Sequence, residues 1–170
     1  MNAQDVILGS RVAHLRELKT EISRLKSEND ALRTENEELK NHFDLAVLAA
    51  EDLRRLGPEG KLVLVDGWNL VLGAERRARD PEELVAKAKS HLAENPDDFV
   101  WIVFDGPRFD VRNEARLRLS WTGGTGPQRA DRFICDFLRM ARFSGDLGRI
   151  EVRTGDKILL HEIDNIRRKI

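Results

Sequence analysis

At 170 residues the chain is long enough for one compact domain with an accessory element but short for two domains with separate cores. Hydrophobic residues make up 41% and charged residues 35%, and no apolar run approaches the length that crosses a bilayer, which excludes a membrane-spanning helix. The net charge of -1 hides an asymmetry: residues 1–59 hold 9 Lys or Arg against 12 Asp or Glu, for -3, and residues 60–170 hold 20 against 18, for +2. So small a surplus favours local Arg patches around acidic chemistry over a tight nucleic-acid clamp.

The opening MNAQDVILGSRVAHL lacks the basic, apolar and small-residue succession of a signal peptide, so a cytoplasmic protein is expected. From Leu15 to Phe43 there is almost no helix breaker and the apolar positions repeat by heptads. Leu18, Leu25, Leu32 and Leu39 fall at d, and Leu15, Ile22, Asn29, Asn36 and Phe43 at a. Leu at d with Ile and Asn at a favours two parallel strands, because paired Asn residues are tolerated there and penalise other registers. Glu21, Glu28 and Glu35 at g would meet Lys26, Arg33 and Lys40 at e of a second copy, and each pairing is attractive in parallel register. The expected partner through residues 15–43 is the chain itself, as a parallel homodimer; packing of the helix on its own domain is the competing arrangement. A basic-region zipper does not fit, since Arg11 is the sole Lys or Arg in residues 1–14. The helix is expected to run on through LAVLAAEDLRRL and stop at Gly57-Pro58. This gives a coiled-coil dimerisation helix over 1–56, a linker over 57–60 and a domain over 61–170.

In KLVLVDGWN, the β-prone run Leu62 to Val65 ends at Asp66-Gly67, which reads as a buried parallel strand delivering an acid to its C-terminal edge. The pattern returns where Val100 to Phe104 lead to Asp105. Between the two, WNLVLGAERRARD reads as a loop leading into a short helix, with Asn69 just beyond the strand end. A helix in PEELVAKAKSHLAENP, opened by Pro81, then crosses back to complete a βαβ unit. The stretch from Gly106 to Ala130 is the least regular and the richest in Arg and Gly. Within it RLRLSW, 116–121, alternates as a short strand, and TGGTGPQ, 122–128, is expected to be a flexible loop. That loop lacks the Lys and the following Ser or Thr of a Walker A motif, so triphosphate binding of that kind is not expected. A helix follows in ADRFICDFLRMARF, with Asp131 in its first turn. A last strand over 148–153 ends at Thr154-Gly155-Asp156, and KILLHEIDNIRRKI is helical in pattern. Cys135 sits in an apolar helical pattern and reads as packing, and His14, His42, His91 and His161 have no metal-ligand spacing.

The fold class is therefore α/β, with helices around a short parallel sheet, and such a sheet can gather Asp66, Asp105, Asp131 and Asp156 at one edge. Crowded carboxylates raise one another's pKa unless a cation sits among them, and an all-oxygen set selects Mg²⁺ or Mn²⁺. One or two such ions orient water and stabilise charge on a phosphodiester in transfer. For Asp131 the other reading is a carboxylate capping its helix. Arg108, Arg112, Arg129 and Arg132 lie close to the acids in sequence, where each would hold a flanking phosphate or be a solvated surface group.

The ordered elements VDGWN at 65–69, VFD at 103–105, RAD at 129–131 and TGD at 154–156 resemble the NYN ribonucleases of the PIN-like superfamily, especially their YacP-like branch. WTGGTG resembles the loop before that family's third acid, and the similarity covers about residues 61–160. The resemblance implies a PIN-like three-layer fold and a metal-dependent endoribonuclease acting on single-stranded or accessible RNA, with a place in ribosome-linked RNA turnover. It also implies Asp66, Asp131 and Asp156 as metal ligands, Asn69 as a positioning residue, and Asp105 as a weaker match. Only residues 157–170 follow the last acid, so a C-terminally abbreviated domain is expected. The alternatives are a dimeric RNA-binding or scaffolding module on the same fold without turnover, and a metal-dependent phosphoesterase for small substrates. For the latter, V-D-G-W in place of D-x-D argues against an aspartyl-phosphate mechanism.

Overall fold

A computed structural model describes residues 3–72, 78–124 and 128–168. The chain forms two compact units, Met1–Glu37 and Glu38–Ile170. Helix α1 (Ala3–Arg55) makes up the first unit and provides the first element of the second. Within the first unit the side chains from Arg11 to Asn36 are exposed, including Leu15, Leu18, Ile22, Leu25 and Leu32 of the heptad seam. Arg24 reaches Glu21 at 2.7 Å and Glu28 at 3.0 Å along the helix surface, pairs that each add only a few tenths of a kcal/mol to an exposed helix. Among the described residues no helix is long and apolar enough to cross a membrane.

The second unit is an α/β fold on a five-stranded sheet of order β3-β4-β2-β1-β5. The strands are β1 (Leu62–Asp66), β2 (Phe99–Phe104), β3 (Phe109–Glu114), β4 (Leu117–Thr122) and β5 (Ile150–Arg153). β4, β2, β1 and β5 run parallel, and β3 is antiparallel to β4. Because successive side chains point to opposite faces, each buried strand feeds two cores. Leu62, Leu64, Phe99, Trp101 and Val103 pack on one face against Leu45, Ala49 and Leu53 of α1 and the apolar sides of α4 (Arg129–Ser144) and α5 (Lys157–Arg168). Val63, Val65, Val100, Ile102 and Phe104 pack on the other, against α2 (Gly67–Leu72) and α3 (Pro81–Glu94).

Local chemistry sets the element ends. Asp80 accepts the Glu83 backbone N–H at 2.8 Å to cap α3, and Pro81 follows at its first turn. Gly145 ends α4 in the left-handed conformation. The C-terminal part of α1 is fastened by a buried ion pair: Asp52, fully buried, accepts both terminal nitrogens of Arg118 from β4, while the Arg118 guanidinium lies 5.0 Å over the Trp101 ring.

Two expected irregular regions are in part regular. The stretch after Gly106 is a hairpin, with Glu114 paired to Leu117 and Ala115 at a φ of 48° in the turn. α2 starts at Gly67, directly from β1; a Cβ there would run into the Phe104 ring, so only glycine lets the helix begin against β2. The rest of the loop and short helix expected after Asp66, at 73–77, and the middle of the glycine loop, 125–127, lie outside the described residues.

Candidate active site at the sheet edge

The C-terminal ends of β1, β2 and β5 and the N-terminus of α4 meet at one edge of the sheet, and each brings one of the expected acids. β1 ends in Asp66, which is 5% exposed. Its Oδ2 accepts the Thr154 hydroxyl at 2.8 Å, and its Oδ1 accepts the Asn69 backbone N–H at 3.4 Å. The Asn69 side chain in turn accepts the Gly155 N–H at 3.0 Å, and the Thr154 hydroxyl accepts the Asp156 N–H at 3.0 Å. Asn69 and Thr154 thus tie the turn after β5 to the end of β1. Asp156 caps α5, accepting the N–H groups of Ile158 at 2.7 Å and Leu159 at 3.2 Å through Oδ1.

Asp105, just past β2, holds the start of α4. Its Oδ1 accepts the Ala130 N–H at 2.8 Å and the Thr122 hydroxyl at 3.2 Å, and its carbonyl accepts the Trp68 indole N–H at 2.6 Å. Asp131, the next residue of α4, is part-buried and lines a cleft of about 220 Å³ with Asp156, Arg132, Cys135, Arg139 and Glu162. The N-cap residue of α4, Gln128, makes no side-chain cap hydrogen bond; the Asp105 carboxylate takes the Ala130 N–H instead, and Asp131 lies in the helix's first turn, where a carboxylate is favoured by the helix N-terminus.

The four acids feel one another. Burial and then the charges of Asp66, Asp156 and Asp105 push the Asp131 carboxyl from 3.8 up to about 7. Burial also raises Asp66; the Thr154 hydroxyl and Asn69 N–H oppose this, and Asp105 and Asp156 add to it. Burial pushes the Cys135 thiol up to about 12, which keeps it protonated and agrees with a packing role.

The four arginines separate. Arg108, Arg112 and Arg132 are exposed. Arg129 is 5% exposed, and its guanidinium donates to the Thr122 hydroxyl at 3.3 Å and the Gly106 carbonyl at 3.0 Å. Its charge is directed into the protein, bracing the Asp105 corner, and not outward as a phosphate contact requires. Thr122 and Thr154 were not singled out in the sequence, although each stands next to a strand end that carries or contacts an acid. Glu162 was also missed; its carboxylate meets Arg139 at 2.9 Å on the far side of the cleft and adds to the field at Asp131.

No family model, curated protein or solved structure matches the chain.

Whether a divalent ion suits this corner is a question of donors and of spacing. The donors are hard carboxylate oxygens whose negative charges disfavour one another, as an Mg²⁺ or Mn²⁺ site requires. Among the described residues no three His, Cys, Asp or Glu side chains come together as a ready-made cage. An ion at this corner would therefore have to keep several waters and be held by no more than one or two carboxylates together with a substrate phosphate, a mode open to Mg²⁺.

Proposed function

We propose that the second unit is a divalent-metal-dependent endoribonuclease of the PIN-like, NYN type. The observation that carries this reading is the gathering of Asp66, Asp105, Asp131 and Asp156, from four separate segments, at one edge of the sheet, where burial and the other three acids raise the Asp131 carboxyl. Like charges assembled at a cost are relieved by a bound cation. Of Asp66, Asp131 and Asp156, one or two would hold Mg²⁺ or Mn²⁺ directly and the rest through its waters, with Asp105 as a further water-mediated ligand or as the group that orients water. When bound, the ion would neutralise charge on a phosphodiester and supply an activated water.

The protein's own side chains do the rest. The Thr154 hydroxyl orients Asp66 at 2.8 Å, helped by the Asn69 backbone N–H at 3.4 Å, while the Asn69 side chain holds the neighbouring turn through the Gly155 N–H at 3.0 Å. Arg108 and Arg132, both exposed, would neutralise flanking phosphates. RNA as the polymer is supported by the ordered VDGWN, RADRFI and RTGD elements and their resemblance to NYN ribonucleases. The test is cleavage of a mixed RNA pool by the full chain in Mn²⁺, in Mg²⁺ and in excess chelator. Metal-dependent cleavage that Asp66→Asn abolishes is the expected result. Cleavage by Asp66→Asn at the wild-type rate would overturn the assignment, and RNA binding indifferent to chelator with no cleavage in any divalent metal would assign the non-catalytic alternative.

Residues 15–43, in the same proposal, join two copies as a parallel coil. The support is an apolar seam left open to solvent, from Leu18 at 45% to Phe43 at 67% exposed, flanked by the g and e charges that complement one another in parallel register. Two linked RNA-binding surfaces would raise each other's effective concentration on one strand.

A further inference from the structure

A row of rings runs along the sheet beside the acid corner. Trp68 meets Phe104 edge-on, with centroids 5.1 Å apart, and Phe104 lies nearly flat against Trp121 at 5.4 Å and 19°. The Arg112 guanidinium then sits over the Trp121 ring, 4.8 Å from its centroid. The row is joined to the corner at two points. The Trp68 indole donates to the Asp105 carbonyl at 2.6 Å, and a Cβ on Gly106 would come within 2.8 Å of Trp121 Cδ1. Trp121 is thus pressed against the backbone that carries Asp105, and its neighbour Thr122 donates to the Asp105 carboxylate.

Core packing accounts for Phe104, which is 1% exposed, and for the inner face of Trp121. It does not account for Arg112. That side chain is 67% exposed, and its ion-pair partner Asp110, at 3.0 Å, is 45% exposed. A pair so open to water contributes little to stability. What the pair with Trp121 does provide is a flat, cationic, solvent-facing plane beside a carboxylate corner.

We propose that Arg112 and Trp121 form a stacking step for one unpaired base of the RNA, next to the phosphate that the acid corner addresses, an inference that rests on the nuclease reading above. A base has two π-faces, and in a duplex both are covered by neighbours, so only a splayed, single-stranded nucleotide can lie on the guanidinium or take its place on the indole. Arg112 on this view recognises a base plane, whereas Arg108 and Arg132 address phosphates. The step is tolerant of sequence, because every base has a π-face, and selective for unpaired strands.

The experiment measures binding of the full chain in excess chelator, where no turnover occurs, to two short labelled strands of equal length and charge: an RNA and its abasic ribose-phosphate counterpart. Wild type is expected to hold the RNA more tightly than the abasic strand. Arg112→Ala and Trp121→Leu are expected to weaken RNA binding about tenfold and to leave the abasic strand unaffected, with Trp121→Phe retaining most of the affinity. Thermal unfolding of each variant separates loss of fold from loss of stacking. If Arg112→Ala weakens both strands alike, or neither, the stacking step is overturned. Equal wild-type affinity for the two strands overturns it as well. Metal-dependent cleavage, measured on the same preparation, stands or falls separately, so failure of the stacking step leaves the nuclease reading in place.

Discussion

Replacing Asp131 by Asn should stabilise the protein at neutral pH. The carboxyl titrates near 3.8 when unhindered and is pushed up to about 7 in the fold, by burial first and then by Asp66, Asp156 and Asp105. Below pH 4 both folded and unfolded chains carry it protonated, and it makes no difference to stability. As pH rises from 4 to 7 the unfolded chain loses the proton while the folded chain keeps it, so folding becomes less favourable; above about 7 both are ionised and the penalty is constant. At about 1.4 kcal/mol for each pH unit the full gap is ~4 kcal/mol. Asp131 is only part-buried, and screening by water and salt reduces the expected gain to about 2 kcal/mol.

The assay is urea unfolding in excess chelator at pH 4, 6 and 8. Trp68, Trp101 and Trp121 all lie in the second unit, so their fluorescence reports its unfolding without the first unit. The expected result is a difference between Asp131→Asn and wild type that is near zero at pH 4 and grows in favour of the variant to pH 8. Millimolar Mg²⁺ should narrow it by stabilising the wild type alone. A variant less stable than wild type at pH 8, or a difference that does not grow with pH, would refute the reasoning.

Breaking the buried Asp52–Arg118 pair by Asp52→Ala leaves a guanidinium 4% exposed without its counter-charge, and urea unfolding should register a loss of about 3–5 kcal/mol. Replacing both residues by apolar ones of similar volume should restore most of that loss, and a double variant as unstable as the single one would count against the burial argument. For the coil, wild type at micromolar concentration should sediment at twice 19.4 kDa, and Leu25→Asp with Leu32→Asp should return it to 19.4 kDa; a wild-type monomer would end the dimer proposal.

The parts of the fold that sequence revealed are those whose physics is local. β1 and β2 are covered on both faces, so LVLV and VWIVF stand out as unbroken apolar runs, and the acids that end them mark the sheet's edge. β3 is an edge strand whose side chains are mostly exposed, so FDVRNE has no apolar alternation to display. Its turn places Ala115 at positive φ where glycine or asparagine would have announced it. The second face of α1 was also hidden. Leu45, Ala49 and Leu53 carry the helix onto the sheet; their Ala and Leu content beyond the heptads marked them as helical but did not show what they pack against.

Candidate acids could be located because strand ends and, for Asp131, a helix start could be. Their supports could not, because a hydroxyl on Thr122 or Thr154 finds Asp105 or Asp66 only after sheet register and loop path are set. Arg129 illustrates the same limit: its burial depends on Gly106 and Thr122 arriving from two other segments.

The outer strand β3 has a bearing on how the molecule behaves in company. A sheet margin offers free N–H and C=O groups to any extended chain that drifts past, and crowding several copies together raises that hazard. Here the margin carries Asp110, Arg112, Asn113 and Glu114, so a foreign strand would have to bring charge against charge and strip water from both. On the proposal that the helical seam joins two copies, that contact would be register-specific and self-limiting, while the charged β3 margin resists the addition of further strands.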